Sequence, residues 1–486
     1  MKSSSSLLRL GWFLVLVVAV CAANAQTVGK LFTVNSTAES SDALPGDGMC
    51  ADSSGRCTLR AAVDEANFDG HSRDVVIFAL AYPAVIDLSL GELAITSNLA
   101  VVGPGARRLT IERSFSPGTT DFRIFRVAGT ATNAIVRGLT IKNGLGNGSG
   151  ILIESGGGLT ATELLLTANS SGGVGGAIQN NGTLNIQRSL FAVNVATLGG
   201  GINNAASTAS ATVINCTFTQ NYASSGGAVW NTGNLLIINS TFSQNTAASA
   251  GEAISNDVGS GQVRVLNTIF GPDPGAAHSL SGPFVSLGNN MVVDPVQSTG
   301  FVNGVNNDQV SDGTTSVDPM LGPLADNGGQ TDTFALMNGS TAIDRGNNCV
   351  TTGSCPNTPQ LFVRTDQRGR LRIFFTVVDI GAFESVPGSS GSSSTFGIFR
   401  PPNVMAAYIG SFAILTDASN NSKRYMPMNA IGNTRLPNLS AGTYVLETRT
   451  KRAALARDPV VISTDDFPFA SFSPAVSGWE LVVSPK

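Results

Sequence analysis

Six residues near the carboxyl end have the types that acid–base or metal chemistry requires: Asp344, Arg345, Asp366, Arg368, Asp379 and Glu384. Paired carboxylates can divide proton transfer across a glycosidic bond, and several carboxylates beside an arginine can hold Ca2+ while a base removes a proton. The same residues also build ion-pair and turn networks, which perturb carboxylates as strongly as a catalytic site does. The second reading is favoured for this set: a lock on the last turns of the chain's fold. Acids are scarce upstream, where residues 145–290 hold only Glu154, Glu163, Glu252, Asp257 and Asp273. None of these falls one repeat from another at an equivalent position; Asp257 has Asn204 and Thr232 at the matching places above it. No catalytic set and no metal set is therefore expected. Ca2+ is the one ion a lyase reading would invoke, and no ligand pattern demands it. The two histidines, His71 and His278, sit in Gly/Asp/Pro-rich loops and are expected to face solvent, while Asp47 and Asp52 read as turn residues.

The elements that would position such residues announce themselves as a repeat. "LTAN" (166–169), "FAVN" (191–194), "FTQN" (218–221) and "FSQN" (242–245) alternate with "GGAI" (175–178), "GGGI" (199–202), "GGAV" (226–229) and a degraded "GEAI" (251–254). Both series advance by about 25 residues, and after each glycine phrase comes an Asn (Asn180, Asn203, Asn231, Asn256) and a short β-rich run. No helical period lies between the strands. A single unit could not bury its apolar face, but stacked units pair every strand with its copies at ~4.8 Å and build one continuous core. The pattern predicts an all-β, right-handed parallel β-helix of about ten to twelve rungs over residues 74–385, with Phe191, Phe218 and Phe242 in one inward ladder. A solenoid needs its ends covered. Leu59, Ala62, Val63 and Ala66 recur at helical spacing, so a short capping helix is predicted there, with Thr58 as its N-cap. After a Gly/Ser linker at 386–395, strand-like runs over 396–486 predict a small antiparallel β-sandwich.

Composition narrows the functional classes. The chain of 486 residues has 42% hydrophobic and only 13% charged residues, 55 glycines and a formal charge of −4. That excludes a disordered chain and gives no basic stripe for nucleic acid. Residues 1–25 have the form of a signal peptide: Lys2 and Arg9, a short apolar core, and "ANA" at 23–25. No later stretch has the ~18 apolar residues that would span a bilayer. Export permits disulfides. Cys50 with Cys57 and Cys349 with Cys355 are the near pairings, although spacing leaves connectivity open, and Cys216 in "VINCTF" is expected to be a buried, inert thiol.

The Phe-x-x-Asn and Gly-Gly-Ala-aliphatic phrases resemble the repeats of bacterial polymorphic outer-membrane proteins. "GDGMCADSSGRCTLRAAVDEAN" (46–67) resembles a CSLREA domain, within a cap predicted over 28–73, with Ala61 where that family has Glu. "DPMLGPLADNGGQTDTFALMNGSTAIDRGNN" (318–348), "DQRGR" (366–370) and "DIGAFE" (379–384) resemble a choice-of-anchor Q domain, predicted over 318–385. Residues 413–453 resemble a carboxypeptidase-regulatory-like module. These resemblances imply a pectin-lyase-like solenoid at a bacterial cell surface or outer membrane, or secreted, that offers a long surface for adhesion, glycan contact or envelope structure. Its partner would be a surface glycan or protein. The competing expectation is a polysaccharide lyase or glycoside hydrolase with its site near the C-terminal coils.

Overall fold

In the computed structural model, equivalent residues of successive repeats lie directly over one another. The structure describes residues 29–68, 73–129, 131, 133–257, 261–275, 278–312, 314–373 and 377–385, and five strands between 412 and 483. The expected signal peptide, the 386–395 linker and His71 lie outside the described residues. Three parallel sheets form the solenoid: the first and third have ten strands each and the second has nine. Chain order threads each coil through all three. A smaller fourth sheet joins Val195–Leu198, Tyr222–Ser225 and Thr246–Ala250.

One core runs through the stack. Ile86, Ile111, Ile141, Leu166, Phe191, Phe218, Phe242, Phe270, Val292 and Val310 line the inner face of the third sheet, and every one is buried. The rings of Phe191, Phe218, Phe242 and Phe270 stack with centroids 4.3, 4.5 and 5.2 Å apart. Burial of each such side chain contributes ~1.5–3 kcal/mol.

At the corner after the third sheet the Phe-x-x-Asn asparagines form a buried ladder. The amide of Asn169 donates to Oδ1 of Asn194 at 3.0 Å, Asn194 to Asn221 at 2.9 Å and Asn221 to Asn245 at 2.9 Å. A second ladder runs Asn180–Asn204–Asn231–Asn256 at 2.7 to 2.8 Å. Here the sequence expectation is corrected: Asn204, not Asn203, is the rung partner, because Ile178 pairs with Ile202 and sets Asn180 over Asn204. The glycine pairs serve two ends. Gly199 and Gly226 each adopt a φ of 67°, and a Cβ on Gly200 would strike the carbonyl of Gly227 in the next coil. "GEAI" departs from the pattern because the following coil places Gly275 against Glu252, which leaves room for that side chain.

The N-terminal end is covered by helix α1 (Leu59–Phe68). Thr58 caps it: its Oγ1 accepts the Ala61 N–H at 3.0 Å. Leu59, Ala62, Val63 and Ala66 pack into the core beside Phe32, Val34 and Leu93. The first sheet starts earlier than residue 74, since Leu31–Val34 pairs with Val75–Phe78 and the helix-bearing segment is an insertion between the two. The Cys50–Cys57 disulfide staples that segment, a second bridge joins Cys349 to Cys355, and Cys216 is free and buried.

The parallel coils end at Gln309–Val310, not at residue 385. Residues 311–385 instead form a strap along the outside of the solenoid. Its hairpin (Leu321–Ala325 with Thr333–Leu336) reaches back to Arg107, which pairs with Asp326 and Asp332 at 2.9 and 2.6 Å. Two apolar clusters fasten it. Ile214, Leu236, Ile238 and Leu266 on the outer face of the first sheet meet Val350, Val363 and Val378. Ile269 and Met291 on the outer face of the third meet Val317, Leu336, Ile380 and Phe383. The chain divides after Ser385 into a second unit, in which the described strands form one five-stranded antiparallel sheet.

Candidate functional site

The strap is held by a row of corner residues that the repeat reading did not single out. Asn215, Asn239, Asn267 and Asn289 occupy the same corner of four consecutive coils, each with φ between 48 and 55°. Asparagine tolerates this left-handed backbone. Each side-chain amide donates to a strap carbonyl: Asn215 to Thr365 (2.6 Å), Asn239 to Asp379 (3.4 Å), Asn267 to Asn347 (3.1 Å) and Asn289 to Arg345 (2.7 Å). In the two preceding coils the same corner carries Glu163 and then Arg188, which pair with each other at 3.0 Å. The change from charged residues to Asn was visible in the sequence and marks where the corner row that bonds the strap begins.

Four of the six candidate residues come together beneath this row. Asp366 is fully buried; its Oδ1 accepts the N–H groups of Arg368 (3.0 Å) and Arg370 (2.9 Å), and its Oδ2 pairs with Nη2 of Arg368 at 2.6 Å. The Arg368 guanidinium also lies over the Phe383 ring, 3.6 Å from its centroid. Glu384 Oε2 accepts the Asp379 N–H at 3.0 Å, while Asp379 takes the N–H groups of Asp344 (2.8 Å) and Ser385. Sequence reasoning missed the centre of the set. Arg372, fully buried, meets Glu384 at 3.4 Å, Asn215 Oδ1 at 2.6 Å and the Gly381 carbonyl at 2.8 Å. Only its place inside "DQRGRLR" offered a signal, and nothing there distinguishes it from Arg370.

Three buried carboxylates thus face two buried guanidinium groups, Arg368 and Arg372. Burial, followed by repulsion from Asp379, pushes the Glu384 carboxyl up to about 9, and burial pushes Asp379 up to about 6. Burial likewise lowers Arg368 to about 10 and lowers Arg372. These groups bond to one another, to strap backbone and to the coils, and none opens to a substrate.

Asp344 and Arg345 do not join them through their side chains. Both are exposed and line a cleft of about 600 Å³ between the strap and the last coils, together with Asn289, Asn303, Asn307, Gln309 and Thr341. Partial burial raises the Asp344 carboxyl. Amides, a hydroxyl, two acids (Asp344 and Asp308) and one arginine suit hydrogen bonding to a polyhydroxyl ligand. Among the described residues no three His, Cys, Asp or Glu side chains converge as a metal centre, and no helix is long and apolar enough to cross a membrane.

The remaining sequence expectations fall elsewhere. His278 is half-buried and paired, with Nδ1 2.9 Å from Asp294 Oδ2, where solvent alone had been expected. Asp52 organises its turn by accepting the N–H groups of Ser54 (2.8 Å) and Arg56 (2.9 Å), and the Arg56 side chain holds its carboxyl far below the usual range. Burial pushes the Cys216 thiol up to about 12, which makes it unreactive as a nucleophile. Asp87 and Glu112 stack in register on the outer face of the third sheet, with Lys142 3.5 Å from Glu112. No family model, curated protein or solved structure matches this chain.

Proposed function

We propose that this chain is an exported, non-catalytic β-helix protein, secreted or held at a bacterial cell surface, that presents an extended face for adhesion or glycan binding. The CSLREA-like and choice-of-anchor-Q-like motifs and the leader-like first 25 residues support export. One observation carries the reading. The C-terminal acidic set singled out from the sequence is spent on fastening the strap, with Asp366, Asp379 and Glu384 all buried. A catalytic carboxyl must reach substrate within hydrogen-bonding distance; these reach the protein's own backbone and arginines. The cleft at Asp344 and Arg345 is then a contact surface. Residues 26–486 incubated with cells and with insoluble neutral and uronate polysaccharides, with Ca2+ present, should bind without releasing soluble sugar. Release that Asp344→Ala abolishes while leaving the melting temperature unchanged would make the protein an enzyme.

A further inference from the structure

We propose that the cleft between the strap and the last coils binds an amino sugar that also carries a carboxylate, with Asp344 meeting its ammonium and Arg345 its carboxylate. This rests on the ligand-presenting reading above and names the ligand class of that cleft.

The two opposite charges are adjacent in the chain, exposed, and both on the cleft. Among the described residues neither side chain has an ion-pair partner, and they do not pair with each other. Their backbone is held in place. Asp344 adopts a φ of 54°, and left-handed backbone in a residue other than glycine persists where the surroundings fix it. Asp379 Oδ1 accepts the Asp344 N–H (2.8 Å), the Asn289 amide donates to the Arg345 carbonyl (2.7 Å), and the Gly346 N–H donates to the Val378 carbonyl (2.7 Å). Gln309 ties the coil wall to the strap wall by donating to the Thr341 carbonyl at 2.8 Å. Little backbone therefore has to be ordered when a ligand enters. The volume of about 600 Å³ is that of a small-ligand site.

The lining chooses the ligand. An exposed carboxylate beside an exposed guanidinium complements a ligand that brings both charges, whereas a ligand with one charge would set it against its like. Asp308 strengthens the demand for a cation. It is 3% exposed and spends Oδ1 on the N–H (2.8 Å) and the amide (3.1 Å) of Asn290, so it adds negative field to the cleft without offering that oxygen. A ligand with a carboxylate alone would meet two acids against one arginine. Asn307 and Thr341, exposed on the same cleft, supply an amide and a hydroxyl, which are the partners that the hydroxyls of a sugar ring need.

The test titrates residues 26–486 calorimetrically with four sugars built on one ring. Muramic acid carries the ammonium and the carboxylate, N-acetylmuramic acid the carboxylate alone, glucosamine the ammonium alone, and N-acetylglucosamine neither. Muramic acid should bind best, and loss of either charge should weaken binding about two- to fivefold, the range of exposed ion pairs. Asp344→Asn keeps a residue that tolerates the left-handed backbone. It should erase the preference for muramic over N-acetylmuramic acid and leave the preference for the carboxylate. Arg345→Gln should do the reverse, and the melting temperature should not change in either variant. Preferences that survive both substitutions, N-acetylglucosamine bound as tightly as muramic acid, or no binding of any of the four overturns the proposal. Alanyl-alanine bound as tightly as muramic acid also overturns it, because the dipeptide has both charges and no sugar ring. A chain that fails these tests but still binds cells or insoluble polysaccharide retains the ligand-presenting reading, and one that binds neither loses both.

Discussion

Among the described residues Arg372 is the largest side chain fully withdrawn from solvent, and its partners come from both the strap and the coils. Removing it leaves three buried carboxylates against one guanidinium. Breaking a buried pair from one side costs ~3–5 kcal/mol, far more than the pair contributes against well-packed apolar substitutes. Arg372→Met should therefore unfold at clearly lower denaturant, whereas Arg372→Met with Glu384→Leu should recover part of the loss. Equilibrium denaturation of the two variants checks this. Two carboxylates of this set, with Asp273 in the coils, make folding stability depend on pH. Glu384 and Asp379 titrate in the folded chain near about 9 and 6, as Asp273 does at about 7, all three raised chiefly by burial. A raised folded-state value means that the folded chain holds protons the unfolded chain has released. Their contribution is fully present below the ordinary carboxyl range and is lost as pH rises through about 6, 7 and 9. The melting temperature of the solenoid should fall from pH 5 to pH 9, and Glu384→Gln should flatten that slope. A melting temperature that rises over this window would contradict the assignment.

At the scale of elements, the ladders explain why each coil keeps its register. Phe218 stacks between Phe191 and Phe242, so Phe218→Ala opens a cavity inside a continuous column and should cost ~3–5 kcal/mol. Asn221 receives from Asn194 and donates to Asn245 and to the Phe191 carbonyl's side of the ladder at 2.9 to 3.0 Å. Asn221→Leu leaves buried partners on both sides unsatisfied and should cost ~2–3 kcal/mol. Chemical denaturation measures both, and a loss below ~1 kcal/mol for either would mean the ladders are incidental. The repeat made this part of the fold legible, because Phe-x-x-Asn and Gly-Gly each answer to a local geometric need. The off-by-one at Asn203 arose because "INN" offers two asparagines, and only strand register says which faces the corner. The strap was harder to read, since its irregular chain has no period. Its footprint was nevertheless present. "TLNIQ" alternates as a strand with one wet face does, while "NLLII" at Asn234–Ile238 is apolar on both faces, the mark of a strand covered on both sides.

At the scale of the whole solenoid unit, the strap ties the last coils to one near Arg107 and masks two apolar outer faces. Coils that each contact only their neighbours would otherwise unfold from an end. The candidate acids were legible as a cluster, and their use as a fastener follows from burial, which sequence does not report. Comparison of Asp379→Ala with the unaltered chain, in thermal unfolding and in polysaccharide turnover together, tests the central claim most directly. The account predicts a melting temperature lower by a few degrees in the variant, no product from either chain, and equal polysaccharide binding below the melt. Product from the unaltered chain that disappears in Asp379→Ala at an unchanged melting temperature would contradict it.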